Sequence, residues 1–79
     1  MFKTALVTGG NGNLGRLVAQ NLEAMGTRVV SFDLPGSEGP HCDPRHAVVL
    51  GDMRDQSLLE DTLATHKPDV VIHLASMLS

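Results

Sequence analysis

Tryptophan and tyrosine are missing from the 79 residues, and the aromatic class is reduced to Phe2 and Phe32. A groove that stacks unpaired bases has nothing to be built from. Lysine and arginine together number 6 against 9 acids, for a formal charge of −3. No run of the sequence concentrates the basic residues, so the counter-charge that a nucleic-acid backbone demands is absent and no nucleic-acid partner is expected. Cysteine occurs once, as Cys42, which rules out an internal disulfide and fits a reducing compartment. Long apolar runs are also lacking. Lys3 and Thr4 interrupt the N-terminal one, and none approaches the roughly 18 residues of a membrane span, so a cytoplasmic chain with no membrane partner is expected. What remains is an ordinary globular composition, 42% hydrophobic and 19% charged. It is short: a chain of this size buries only about 60% of its unfolded surface and is marginal by itself.

The apolar pattern changes period along the chain. Ala5, Leu6 and Val7 form a short run ending at Gly9, as in a strand buried on both faces. From Asn13 the spacing turns helical, with Leu14, Leu17, Val18, Leu22 and Met25 expected on the inner stripe and Gly26 at the C-terminal cap. Arg28–Leu34 predicts a second strand stopped by Pro35 and Gly36, followed by an irregular stretch rich in proline and glycine. His46–Gly51 predicts a third strand. Asp55 is placed to cap a helix running to about His66, with Leu58, Leu59 and Leu63 inward and Pro68 as its stop. Asp69–Ala75 predicts a fourth strand. Strands separated by long crossovers pair in parallel. The expected class is therefore α/β, one domain over 1–79, with four parallel strands in the order 3-2-1-4 and helices on both faces.

Four glycines crowd the first strand-to-helix junction, TGGNGNLG at 8–15. Gly10, Gly12 and Gly15 spell G-x-G-x-x-G, and Gly9, Gly12 and Gly15 spell G-x-x-G-x-x-G. Such a turn bends tightly, lets backbone approach a pyrophosphate without a Cβ in the way, and packs helix closely on strand, while the helix N-terminus presents free N–H groups to the anion. Asp33 closes the second strand 18 residues after Gly15, where an acid would accept hydrogen bonds from an adenosine ribose. The same carboxylate would repel a 2′-phosphate, which favours NAD over NADP, although Arg16 or Arg54 could offset that repulsion. A strand-ending aspartate before Leu-Pro-Gly is the purely structural alternative.

With GDMRD at 51–55 and PDVVIHLAS at 68–76 added, these motifs resemble the N-terminal third of the extended short-chain dehydrogenase/reductases, the NAD-dependent epimerase/dehydratase family, over nearly the whole chain. The resemblance implies a partial Rossmann fold. It implies that Asn11, Gly12, Asn13 and Leu14 wrap the pyrophosphate, that Asp52 bonds the adenine amino group with Met53 against the ring, and that Leu74, Ala75 and Ser76 line the path to the nicotinamide ribose. Asp52 also has a bland reading as a turn residue before the second helix. His73, alternating between Ile72 and Leu74, is expected to be a packed, hydrogen-bonded histidine rather than a catalytic one. His41, Cys42, Asp43 and His46 match no closed tetrahedral metal pattern.

The family's chemistry rests on a Tyr-x-x-x-Lys pair, and this chain has no tyrosine, its lysines being Lys3 and Lys67. No catalytic residue is therefore expected in it. Two readings stay open: the dinucleotide-binding segment of a longer oxidoreductase, with catalytic and substrate-binding parts elsewhere, or a small nucleotide-binding or dimerising module. In either, the apolar fourth strand predicts an edge that must be covered, by the remainder of a longer chain or by self-association.

Overall fold

The computed structural model describes residues 2–37, 39 and 43–74. Its elements are β1 (Thr4–Thr8), α1 (Asn13–Ala24), β2 (Arg28–Asp33), β3 (Ala47–Leu50), α2 (Gln56–His66) and β4 (Val70–His73). The four strands form one parallel sheet in the order β3-β2-β1-β4, as the crossover argument predicts. β2, β3 and β4 are one to two residues shorter at one or both ends than the sequence reading, while β1 extends to Thr4 and Thr8; just before β4 the Asp69 amide still bonds the Thr4 carbonyl at 2.9 Å. Asp69 accepts from the amides of Lys3 and Thr4 at 3.0 and 2.8 Å, which ties the start of β4 to the start of β1. The Lys3 and Thr4 amides hold its carboxyl below the usual carboxylate range.

The helices cover opposite faces. On one, Ala19 and Leu22 of α1 pack with Ala5, Val7 and Val29, and Val18 joins Val70 and Ile72 at the margin. On the other, Leu58 and Leu59 of α2 rest on Leu6, Val30 and Phe32. Burial falls off outward from the central pair: Ala5, Val7, Val29, Val30 and Phe32 are fully enclosed, while β3 and β4 are half-buried or exposed.

The inner stripe of α1 differs from the expected one. Its buried residues are Gly15, Ala19 and Leu22, while Leu14, Leu17 and Met25 are 50%, 55% and 52% exposed. The helix is rotated toward its small residues because Gly15 must sit against the glycine turn. A Cβ there would lie 2.6 Å from the Gly10 Cα. In α2 the expected Leu63 is 38% exposed and Thr62 is buried instead, its hydroxyl satisfied by the Leu58 carbonyl at 2.8 Å. Gly26 follows α1 at φ 91° and lets the Thr27 amide close on the Leu22 carbonyl at 3.0 Å. At α2, Lys67 takes the left-handed conformation, φ 48°. Pro68 bars it from continuing the helix.

Candidate functional site

The site lies at the carboxyl ends of β1, β2 and β4, where the strand order reverses. β1 leaves the sheet through Gly9 at φ 72°, whose amide bonds the Phe32 carbonyl at 2.8 Å. That backbone conformation disfavours any other residue. Gly10 follows with its α-carbon against β2, so that a Cβ would stand 2.6 Å from the Ser31 Oγ. Gly12 then opens α1 in extended conformation (φ −77°, ψ 174°) and offers no side-chain cap. The first bond into the helix is Arg16 N–H to the Gly12 carbonyl at 2.9 Å. Upstream of it, the amides of Asn13, Leu14 and Gly15 donate to nothing among the described residues. No acid occupies the first turn. The result is a helix N-terminus with partial positive charge and open donors.

Asn11 is fixed from three sides. Its amide donates to the Asp33 carboxylate at 3.0 Å, its carbonyl accepts from Arg16 Nε at 2.9 Å, and its side-chain Nδ2 donates to Ser37 Oγ at 3.2 Å. It is 5% exposed, and its Oδ1 is buried without a donor among the described residues. Asp33 also accepts from the Leu34 amide at 2.8 Å. The carboxylate thus performs its strand-ending role and braces the glycine turn at once, while remaining only half-buried at the strand tip.

The adenine-side candidates sit between β3 and α2. Asp52 accepts from the Arg54 amide at 2.8 Å, the turn geometry of its structural reading, and is gripped by the Arg54 guanidinium at 2.7 Å. The side-chain bond from Arg54, and then the Arg54 amide, push its carboxyl down to about 2. Met53 is half-buried against the β2–α2 apolar cluster. On the other side, the Leu74 amide bonds the Thr8 carbonyl at 3.0 Å and the Thr8 hydroxyl at 3.1 Å. Ala75 and Ser76 lie outside the described residues. His73 takes the Thr8 hydroxyl on Nδ1 at 2.6 Å, as expected of a bonded histidine. It is exposed rather than packed, because β4 is the last strand of the sheet among the described residues.

Two contacts escape sequence reasoning. One is the Arg16 grip on Asn11. The other is a buried chain in which His46 places Nδ1 2.8 Å from Glu23 Oε2 and Nε2 2.9 Å from Ser31 Oγ. It links α1 to β2 and the approach to β3, directly beneath Gly10. Both ring nitrogens of His46 are engaged in this way, while His41 and Cys42 fall outside the described residues. No sequence signal marks either contact: the first depends on how the glycine turn folds back on the first turn of α1, and the second joins residues that only the crossovers bring together.

A parallel sheet in this order, with an uncapped glycine turn at the tip of its first strand, defines the Rossmann class. The model of the NAD dependent epimerase/dehydratase family matches residues 5–79, and the chain belongs to that family. A UDP-glucose 4-epimerase of Rhizobium leguminosarum bv. trifolii is 33% identical over 76 residues, covering 96% of this chain and 23% of its own length. The solved structure of epimerase Mth375 of Methanothermobacter thermautotrophicus superimposes with a TM-score of 0.80 at 32% identity, over 91% of this chain and 22% of its own. The Bordetella bronchiseptica enzyme WbmG, solved in complex with NAD, gives 0.79 at 26% identity, over 89% and 24%. The chain thus spans about a quarter of the length of these relatives.

Proposed function

We propose that these residues are the dinucleotide-binding segment of an NAD-dependent epimerase/dehydratase-type oxidoreductase that acts, as a complete protein, on a nucleotide sugar or a related carbonyl or hydroxyl substrate. The observation that carries this reading is the open end of α1, where the Asn13, Leu14 and Gly15 amides lack acceptors among the described residues at the strand tips. An anion placed there gains the helix dipole and several backbone donors together. Gly9, Asn11, Gly12, Asn13, Leu14 and Gly15 form the pyrophosphate wall, and Asp33 accepts from the adenosine ribose. Asp52 meets the adenine amino group and Met53 its face, and Leu74, Ala75 and Ser76 border the nicotinamide side. When bound, the nicotinamide supplies a hydride acceptor. This segment holds and orients the carrier, but without tyrosine it has no residue to manage the substrate proton.

NAD is the preferred form, because Asp33 bonds ribose hydroxyls through charge-assisted contacts of about 1.5–3 kcal/mol and repels a phosphate in their place. Calorimetry tests this. Asp33→Ala should weaken NAD at least tenfold and NADP far less, whereas unchanged NAD affinity removes Asp33 from the site. The relatives' greater length supports covering the β4 edge with later residues of a longer chain. Val71 is 51% exposed on that strand. Sedimentation of the 79-residue chain should then show self-association, and a strictly monomeric, well-folded species would refute an edge that needs cover.

A further inference from the structure

The His46 side chain, 1% exposed, is enclosed between α1, β2 and the approach to β3. Its ring nitrogens reach different elements: Nδ1 stands 2.8 Å from Glu23 Oε2 in the last turn of α1, and Nε2 stands 2.9 Å from Ser31 Oγ in β2. Neither partner is favoured there by local chemistry. A carboxylate in the last turn of a helix opposes the macrodipole, and no basic residue in that turn offsets it. A hydroxyl at a fully buried strand position needs a bond to offset its desolvation. Among the described residues, His46 is the one partner of the Ser31 hydroxyl.

The Ser31 end bears on the site because the glycine turn rests directly on it. A Cβ on Gly10 would stand 2.6 Å from the Ser31 Oγ, and a Cβ on Gly15 would stand 2.6 Å from the Gly10 Cα. The Ser31 hydroxyl is thus the floor of the turn, and the turn is the seat of the first turn of α1, whose amides lack acceptors among the described residues. The Glu23 end fixes the same helix near its other terminus. One imidazole therefore ties both ends of α1 to β2.

We propose that His46 is a positioning residue for the dinucleotide: it holds the Ser31 hydroxyl under Gly10, and α1 at the depth where its N-terminal amides meet a diphosphate. This rests on the dinucleotide reading above. Without its partner the hydroxyl swings to another rotamer. Gly10 has no room to absorb that movement, so the turn spends part of its time out of the binding-competent arrangement, and apparent affinity falls by that fraction.

Two neutral replacements separate the two bonds. A Gln amide reaches about as far as the imidazole Nε2 and an Asn amide about as far as Nδ1, so His46→Gln keeps a partner for Ser31 and His46→Asn keeps one for Glu23. Each forfeits one buried bond, and urea unfolding should show similar losses of stability. Calorimetry on the 79-residue chain should instead show NAD affinity about tenfold weaker for His46→Asn and within about threefold of wild type for His46→Gln. In the ligand-free chain the Gly10 amide resonance should move in His46→Asn and stay near its wild-type position in His46→Gln. Ser31→Ala removes the hydroxyl alone, tests the same floor should a His46 variant not fold, and should weaken NAD as His46→Asn does. His46→Asn binding NAD as tightly as His46→Gln, or Ser31→Ala binding it as tightly as wild type, overturns the proposal and leaves the chain a structural tie. Failure of wild type to bind NAD, with the fold verified by circular dichroism, defeats the dinucleotide reading instead. The Gly10 resonance then still decides whether His46 sets the turn, and an unmoved resonance in His46→Asn rules against it.

Discussion

The two helices of this chain follow the same kind of crossover and begin in opposite ways. α2 starts on Asp55, whose carboxylate takes the Leu58 amide at 3.1 Å and sets a negative charge against the helix dipole. α1 starts on Gly12, which has nothing to cap with, and its first three amides find no acceptor among the described residues. α2 ends its N-terminus for stability. α1 forgoes roughly a few tenths of a kcal/mol of capping and keeps its donors available at the strand tips. The residues around it carry the rigidity a cap would have supplied: Asp33 and Arg16 hold Asn11, and Gly15 seats the helix on the turn.

The sharpest way to break the comparison is to fill the seat of α1. Gly15→Val drives side-chain atoms into the Gly9–Gly10 backbone. That overpacking should cost about 1–3 kcal/mol and lower the melting temperature by roughly 5–20 °C, with NAD binding lost beyond detection by calorimetry. Removing the α2 cap should act chiefly on stability. Asp55→Ala is expected to cost about 1 kcal/mol in urea unfolding with a much smaller loss of NAD affinity than in Gly15→Val, since Asp55 caps α2 next to the proposed adenine contacts Asp52 and Met53 without being one of them. The smallest effect concerns the exposed pair at Asp52. Arg54 holds its carboxyl at about 2, so this interaction is complete above the ordinary carboxylate value near 3.8. It is lost as pH falls toward 2. In Arg54→Ala the Asp52 titration followed by NMR should rise toward that ordinary value with little change in stability, because the pair is exposed and screened.

The sheet order, the faces covered by the helices, the cap at Asp55 and the glycine turn were all legible in the sequence. Each follows from local periodicity, from turn chemistry, or from the handedness of crossovers acting on neighbouring elements. The inner stripe of α1 was not legible. Leu14, Leu17 and Met25 share a helical spacing with Val18 and Leu22, and hydrophobicity alone selects the larger side chains. Close approach to the turn selects Gly15 and Ala19 instead, a preference set by the neighbouring backbone. Thr62 likewise replaces Leu63 because its hydroxyl finds an acceptor within its own helix. In the site, Asp33 was foreseeable from its position. Its bond to Asn11, the Arg16 brace and the Glu23–His46–Ser31 chain were not, because they join residues 5 to 23 positions apart across three elements.

The most direct test of the open helix end is to close it. Gly12 has an extended conformation that any residue adopts, and an added Cβ there meets only the Gly9 carbonyl oxygen at 3.5 Å. Gly12→Asp should therefore be accommodated, cap α1 as Asp55 caps α2, and raise stability to urea by roughly a few tenths of a kcal/mol. The same carboxylate occupies the donors and repels a diphosphate, so NAD affinity measured on that variant should fall at least 30-fold. A variant that is more stable and binds NAD as tightly as wild type would contradict the claim that these amides are left open for an anion.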